Sequence, residues 1–303
     1  MTGEDKRRSV GLEVLQFYEQ LPFNYSSSVD REAERVTERN ALPYLGVPES
    51  VFRDCHALLD VGCGSGWLCN SAAHYYKTPE VVGIDFNPVA VTRASAVSQK
   101  LGLNSRFVVA DLFEYTPPHA AYDLVSSIGV LHHTSDCLYA IETVMRTMVA
   151  DGGTFICGLY HRYGRKPFLE HFRRLLANKA GKEDLLREFS LLHPAITDKT
   201  LLESWFRDQV LHPQESQHTL EEIHHLTRKN NWSLAGTSIN QFGKIGNIED
   251  LFVSERELER VAEGKLKERR YYPGFFITIL KKPGTNASSG NPSPDNGPGS
   301  GPR

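Results

Sequence analysis

Short apolar runs, set apart by longer stretches with helical spacing, organise the middle of the chain. The runs are ALLDV (57–61), EVVGID (80–85), SRFVVAD (105–111), YDLVSS (122–127) and GTFICGLY (153–160). Between them, 66–77, 88–102 and 136–149 place apolar residues at helical intervals. Strand–helix alternation with loops this short predicts a parallel sheet with helices on both faces. The flanks differ. Residues 1–10 are polar and predict a mobile terminus. GLEVLQFYEQL and DREAERVTERN predict two short helices around the turn LPFNYSSS, with Asp30 as N-cap of the second. Residues 161–217 break the rhythm: Arg, His, Phe and Leu recur at helical spacing, punctuated by Pro167, Pro194 and Pro213, which predicts a helical insertion. The alternation then resumes with a helix over 219–231, a strand over 232–239, a charged helix in ELERVAEGKLKERR and a final strand, FFITILKK (275–282). The last residues, from Pro283, are almost devoid of apolar side chains and predict disorder.

This divides the chain into an N-terminal helical cover (1–50), a core (51–160), an insertion placed to cover a substrate (161–217), a completion of the sheet (218–283) and a tail (284–303). Composition narrows the function. Across 303 residues, 34 Lys and Arg face 37 Asp and Glu, a net charge of -3, which argues against a protein that tracks nucleic-acid backbones. No apolar run is long enough to span a membrane and the polar start is unlike a signal peptide, so a cytoplasmic location with no membrane partner is expected. Cys55, Cys63, Cys69, Cys137 and Cys157 are odd in number and contain no CxxC pair, which argues against disulfides or structural zinc. Composition leaves the oligomeric state open.

The candidate chemistry lies where the strands end. LLDVGCGSG (Leu58 to Gly66) joins the first strand to the first helix, and glycines at 62, 64 and 66 allow a tight turn and a close ligand approach. A dinucleotide fingerprint needs glycine at 67, where Trp67 stands. Asp60, just before the glycines, would repel a pyrophosphate but suits a cationic amine. Asp85 ends the second strand, 19 residues after Gly66, where a carboxylate accepts from both ribose hydroxyls, and Phe86 beside it suits a purine face. Asp111 ends the third strand, in position to accept from an exocyclic adenine amine. These features count against a nicotinamide dehydrogenase.

LLDVGCGSG, VVGIDFNP, FVVADLFEY, YDLVSSIGVLHHT and MVADGGTFICGLY, in this order and spacing, resemble the class I S-adenosylmethionine-dependent methyltransferases. The resemblance covers roughly residues 56–160 and the terminal strands. It implies an α/β fold: a doubly wound, seven-stranded, mostly parallel Rossmann-like sheet whose last strand, FFITILKK, is antiparallel. It implies S-adenosyl-L-methionine as cofactor, with Gly62 and Gly64 at its methionine part, Asp85 at the ribose, Asp111 and Leu112 at the adenine, and Ser127 and Ile128 on the methionine side. The implied reaction moves a methyl group from the sulfonium to a small-molecule metabolite by in-line displacement. RNA or protein acceptors, and a non-catalytic binding module, are the competing readings.

His132 and His133, in GVLHHT after the fourth strand, are the candidate general bases. Tyr18, Phe23 and Tyr25 sit where helices before the first strand fold as a lid, and Tyr18 and Tyr25 join the catalytic candidates. His161 and Tyr163 follow the fifth strand, with Arg162 and Arg165 suited to an anionic group. His224 and His225 have no metal-ligand partner at helical spacing. His212, Glu215 and His218 read as a capping loop, so no metal is expected.

Overall fold

A computed structural model describes residues 3–26, 28–117 and 122–284. Four helices precede the sheet: α1 (Gly3–Gln20), α2 (Val29–Glu38) and the single turns α3 (Ala41–Tyr44) and α4 (Ser50–Arg53). Residues 3–10 are thus helical rather than a loose terminus, in line with the helix propensity of Glu, Lys and Arg upstream of a packed segment. The cap of α2 is Ser28, not Asp30. Ser28 has the extended backbone a cap requires, and its hydroxyl accepts from the Arg31 N–H at 3.2 Å. Asp30 falls in the first turn, where its charge suits the helix dipole.

The core follows as β1 (Ala57–Val61), α5 (Trp67–Ser71) continued by one π turn (Ala72–Tyr76), β2 (Glu80–Asp85), α6 (Pro88–Lys100), β3 (Arg106–Val109), β4 (Tyr122–Ile128), α7 (Cys137–Thr147) and β5 (Val149–Tyr160). The insertion is α8 (Arg162–Ala177), α9 (Lys182–Leu192) and α10 (Lys199–Val210). The chain then forms α11 (Leu220–Lys229), β6 (Ser233–Thr237), α12 (Ile248–Arg256), α13 (Leu258–Lys267) and β7 (Phe275–Lys281). The expected charged helix is the second of two, α12 and α13, which meet at Glu257. The tail from residue 285 lies outside the described residues.

The seven strands form one sheet in the order β3-β2-β1-β4-β5-β7-β6. β7 runs antiparallel to both β5 and β6, and the other pairings are parallel, as the doubly wound reading requires. Alternate residues of each strand serve opposite faces. Leu59, Val61, Val82, Ile84 and Val125 pack with Ile141, Val144 and Met148 from α7 and with Leu220 and Ile223 from α11. Leu58, Val81, Leu124, Ile156 and Ile279 pack with Leu68, Cys69 and Ala72 from α5 and its π turn, and with Leu42 and Phe52. Phe168, Phe172, Leu185, Phe189, Leu192 and Phe206 give the insertion a small core of its own. A capping box, with Thr219 and Glu222 exchanging side-chain and backbone hydrogen bonds, restarts the chain after it.

Because the first four strands point the same way, the acidic residues at the carboxyl ends of the first three collect near one edge. Asp60 is the most enclosed, 5% exposed. It accepts from the Ser126 hydroxyl at 2.7 Å and lies 3.9 Å from the Cys69 thiol. Burial pushes its carboxyl up to about 7 from an ordinary 3.8, the Ser126 hydrogen bond opposing. The folded protein therefore holds the Asp60 proton more tightly than the unfolded chain does. Stability falls as pH rises through the window between about pH 4 and pH 7, then levels off. We expect urea denaturation to show this loss, on the order of a few kcal/mol, in the native sequence. Asp60→Asn should flatten it, and an unchanged slope in the variant would assign the effect elsewhere.

Candidate active site

The turn after β1 is drawn back onto the end of β2. Gly62 and Cys63 both donate to the Ile84 carbonyl, at 2.8 and 3.0 Å, and Gly64 donates to Asp85 Oδ2 at 2.9 Å. Gly62, Gly64 and Gly66 all have positive φ, which side-chain-bearing residues rarely adopt. Their surroundings then differ. A Cβ on Gly62 would strike Val130, and one on Gly66 would strike Ala94 and Phe107, so these two are glycines for packing. A Cβ on Gly64 meets no atom within 4 Å, nor does one on Gly129 after β4. Those two stretches of bare backbone form an open cradle on the rim.

Around the cradle stand the predicted acids. Asp85 accepts from the N–H groups of Asn87 and Gly64, which oppose the upward push of burial on its carboxyl. Asp111 is exposed, oriented by the Phe113 N–H at 2.9 Å. Phe86, Leu112 and Ile128 are half-buried along the same edge. Two residues sit deeper than expected. Ser127 is fully buried and donates to the Val61 carbonyl. Asp60 lies behind the glycines, where it braces β1 against β4 through Ser126. Trp67, which replaces the dinucleotide glycine, donates to the Arg39 carbonyl and packs against Tyr44, tying the N-terminal helices to the turn. The backbone of Gly64 and Gly129 together with Asp85 and Asp111 fits a ligand with an extended body and a ribose-like diol.

Facing the cradle is a buried polar roof built from four parts of the chain. Tyr18 of α1 donates to Asp208 Oδ1 at 2.6 Å, and Tyr160 at the end of β5 donates to Asp208 Oδ2 at 3.3 Å. The α1 carbonyl at Tyr18 accepts from Asn87 Nδ2 at 3.0 Å, which brings the roof down onto β2. His133 Nε2 lies 3.8 Å from Asp208 Oδ1, and the His133 and His212 rings pack with centroids 3.8 Å apart, tilted by 31°. Burial and the neighbouring Asp208 push the Tyr18 phenol well up, and burial does the same to Tyr160 and to the Asp208 carboxyl. Burial, with His133 close by, holds His212 well below the ordinary imidazole range.

The two candidate histidines part company. His132 is wholly buried, its ring against Tyr160 at 4.2 Å, and burial followed by repulsion from His133 keeps it neutral. His133 faces the roof. Its Nδ1 lies 2.8 Å from the Gln214 carbonyl, which can only accept, so Nδ1 carries a proton, and in the neutral form of the ring the Nε2 lone pair is on the side of Asp208. Tyr18 is in the roof, but Tyr25 is not. Arg93 donates to the Tyr25 hydroxyl at 2.7 Å and lies over its ring at 4.1 Å, which holds Tyr25 on α6. Phe23 packs on Trp205.

The residues after β5 are engaged structurally: His161 with Glu255, Arg162 with Glu222, and Arg165 with both carboxylate oxygens of Glu215. Glu215 and His218 are thereby committed to Arg165 and to Ser216, and do not form a metal set with His212. Asp208 and Tyr160 are functional candidates that sequence reasoning missed. The one signal for Asp208 was an acid inside the apolar spacing of α10.

Residues 58–153 match the protein family described as "Methyltransferase domain". The chain is 28% identical over 178 residues to ajmaline N-methyltransferase of Rauvolfia serpentina, covering 55% of this chain and 61% of that protein. It is 27% identical over 139 residues to a probable chloroplastic tocopherol O-methyltransferase of rice (Oryza sativa subsp. japonica), covering 45% and 38%. The chain thus spans well under two thirds of these relatives' own length. Among solved structures, PKMT2 from Rickettsia typhi in complex with AdoHcy superposes with a TM-score of 0.55 at 15% identity, over 86% of this chain and 54% of that one, a likeness of fold. Among the described residues no helix is long and apolar enough to cross a membrane. Residues 58–153 match a methyltransferase domain and lie in a seven-stranded, mostly parallel sheet of Rossmann-like architecture.

Proposed function

We propose that this chain moves a methyl group from S-adenosyl-L-methionine to a small-molecule acceptor by in-line displacement. The observation that carries the reading is the order along the strand ends: Asp111 after β3, Asp85 at the end of β2, then the open backbone of Gly64 after β1 and of Gly129 after β4. Asp85 and Asp111 are placed to hold a ribose and an adenine, with Phe86, Leu112 and Ile128 as apolar sides. Gly62 shapes the turn, and Asp60 supports it from behind through Ser126. The cofactor supplies a methyl already activated on a sulfonium. The chain's task is then to position an acceptor atom in line with it, to exclude water, and to take a proton where the acceptor carries one.

His133 suits the last task. Its tautomer is set by the Gln214 carbonyl, its Nε2 points into the site, and Asp208 stands close enough to stabilise the imidazolium that forms. The closed roof supports a metabolite rather than a polymer. So do the ion pairs at the start of the basic segment after β5: Arg162, Arg165 and Lys166 are taken by Glu222, Glu215 and Glu259.

Asp85→Ala should weaken S-adenosylmethionine binding about tenfold to a hundredfold, since hydrogen bonds to a charged group are worth roughly 1.5–3 kcal/mol. Calorimetric titration measures this, and full affinity in the variant would contradict the placement of the nucleoside. His133→Gln should leave cofactor affinity in place and lower kcat by about a hundredfold or more, the scale of general-base catalysis. An intact turnover rate would remove His133 from proton transfer.

A further inference from the structure

In the roof the Asp208 carboxyl and His133 Nε2 lie 3.8 Å apart, and His133 Nε2 has no hydrogen-bond partner. Asp208 is buried, yet the groups that donate to it, Tyr18 and Tyr160, are neutral phenols. Arg165, the nearby guanidinium, is spent on Glu215 and lies over the Tyr160 and Phe168 rings. Among the described residues, the basic group recorded within ion-pair distance of Asp208 is His133, at 3.8 Å. With its Nδ1 proton committed to Gln214, His133 in its neutral form has an Nε2 lone pair and no proton on the side of Asp208. His133 Nε2 is buried and has no hydrogen-bond partner. A carboxylate and an imidazole lone pair thus converge, buried, on one small region, and both are acceptors.

Such an arrangement costs free energy unless something with several donors and a positive charge enters it. The walls suit that charge. The rings of Phe17 and Tyr18 pack against His212 at 4.9 and 5.2 Å, and Tyr160 closes the far side of His133 at 6.0 Å. Aromatic faces attract a cation, most strongly where water is excluded.

We propose that the methyl acceptor is a protonated amine, bound through its N–H groups by Asp208 and His133 inside this ring of aromatic side chains. The assignment rests on the methyltransferase reading above and names its substrate class. Asp208 holds the ammonium as counter-ion. One N–H proton passes to His133 Nε2, giving an imidazolium beside Asp208. The lone pair freed on nitrogen forms the new N–C bond to the methyl, and the breaking C–S bond leaves its pair on sulfur. Atoms and charge balance without a further reactant. A neutral hydroxyl has one N–H-like donor to offer two acceptors and brings no charge for Asp208, so the site discriminates against it.

His133, Asp208 and His212 also place one donor atom each within 4.8 Å of the others, the spacing of a metal site. The hydrogen bonds speak against a metal. His212 Nδ1 accepts from the Gln214 N–H at 3.0 Å, so the neutral ring carries its proton on Nε2 and has no second lone pair to give.

The test uses the full chain. AdoHcy binding by calorimetry comes first and reports on the cofactor reading alone. With AdoHcy saturating, benzylamine and phenethylamine are then titrated beside benzyl alcohol and 2-phenylethanol. The amines should bind at least about tenfold more tightly than the matched alcohols, and Asp208→Asn should erase most of that preference. Equal binding of amines and alcohols, no amine binding at millimolar concentration, or a preference that survives in Asp208→Asn overturns the proposal. If the variant does not fold, the comparison in the native sequence decides alone. Cobalt(II) added by itself is the remaining probe. Intense visible bands of a tetrahedral site, lost in His212→Ala, would make this a metal centre and overturn the amine assignment as well.

Discussion

A short run of hydrogen bonds joins the glycine turn to the roof, and the rest of the site hangs from it. Gly64 donates to one oxygen of Asp85, and Asn87 donates its backbone N–H to the other. The Asn87 side chain donates in turn to the Tyr18 carbonyl, and the Tyr18 hydroxyl donates to Asp208. Cradle, strand end, lid helix and insertion are fastened in series by four contacts. Each link uses a group that the fold leaves unsatisfied: a turn amide, a helix-cap side chain, a carbonyl in the last turn of α1. Asn87 is the pivot, because the same residue caps α6 through its Oδ1 while its Nδ2 reaches the lid. Both ends of one amide are spent, which fixes its orientation and the position of Tyr18 with it.

The insertion explains how a polar roof can be held over an apolar sheet. Its own core of phenylalanines and leucines helps to offset the cost of ordering three helices. Buried polar groups that are only partly satisfied are expensive where they are the sole reason for a contact. Here α8 and α10 are already anchored by Phe168, Phe172 and Phe206, which leaves Asp208 and His212 free to serve the site. Arg165 separates the two functions. Fully buried, it pairs with Glu215 on one side and stacks on Tyr160 and Phe168 on the other. That neutralises the one acid of the loop that would otherwise compete with Asp208 for a cation.

The sheet and its rim were readable because their signals are local. Five apolar runs, a GxGxG turn and an acid at the ends of the first three strands are short-range patterns, and parallel strands carry them to one edge without further information. The limits were equally local. Asp30 and Ser28 are both competent caps, and only the backbone of Ser28 shows which one acts. Tyr18 and Tyr25 look alike in sequence, but seven residues of turn and helix send one to Asp208 and the other to Arg93. Asp208 is 148 residues from Asp60 and lies in an insertion that the strand motifs do not govern, so its place opposite His133 is a matter of tertiary packing.

Asp60 and Asp208 show why burial alone does not mark a functional carboxylate. Both are enclosed, and in both burial pushes the carboxyl up. Asp60 accepts from Ser126 and lies beside Cys69. Its proton is a matter of fold stability. Asp208 is held by two phenols from separate elements, α1 and β5, and its nearest basic neighbour is an imidazole whose proton points away. No contact within its own helix explains it. A side chain that three distant segments converge to surround, and that none of them neutralises, is organised for something the fold itself does not contain.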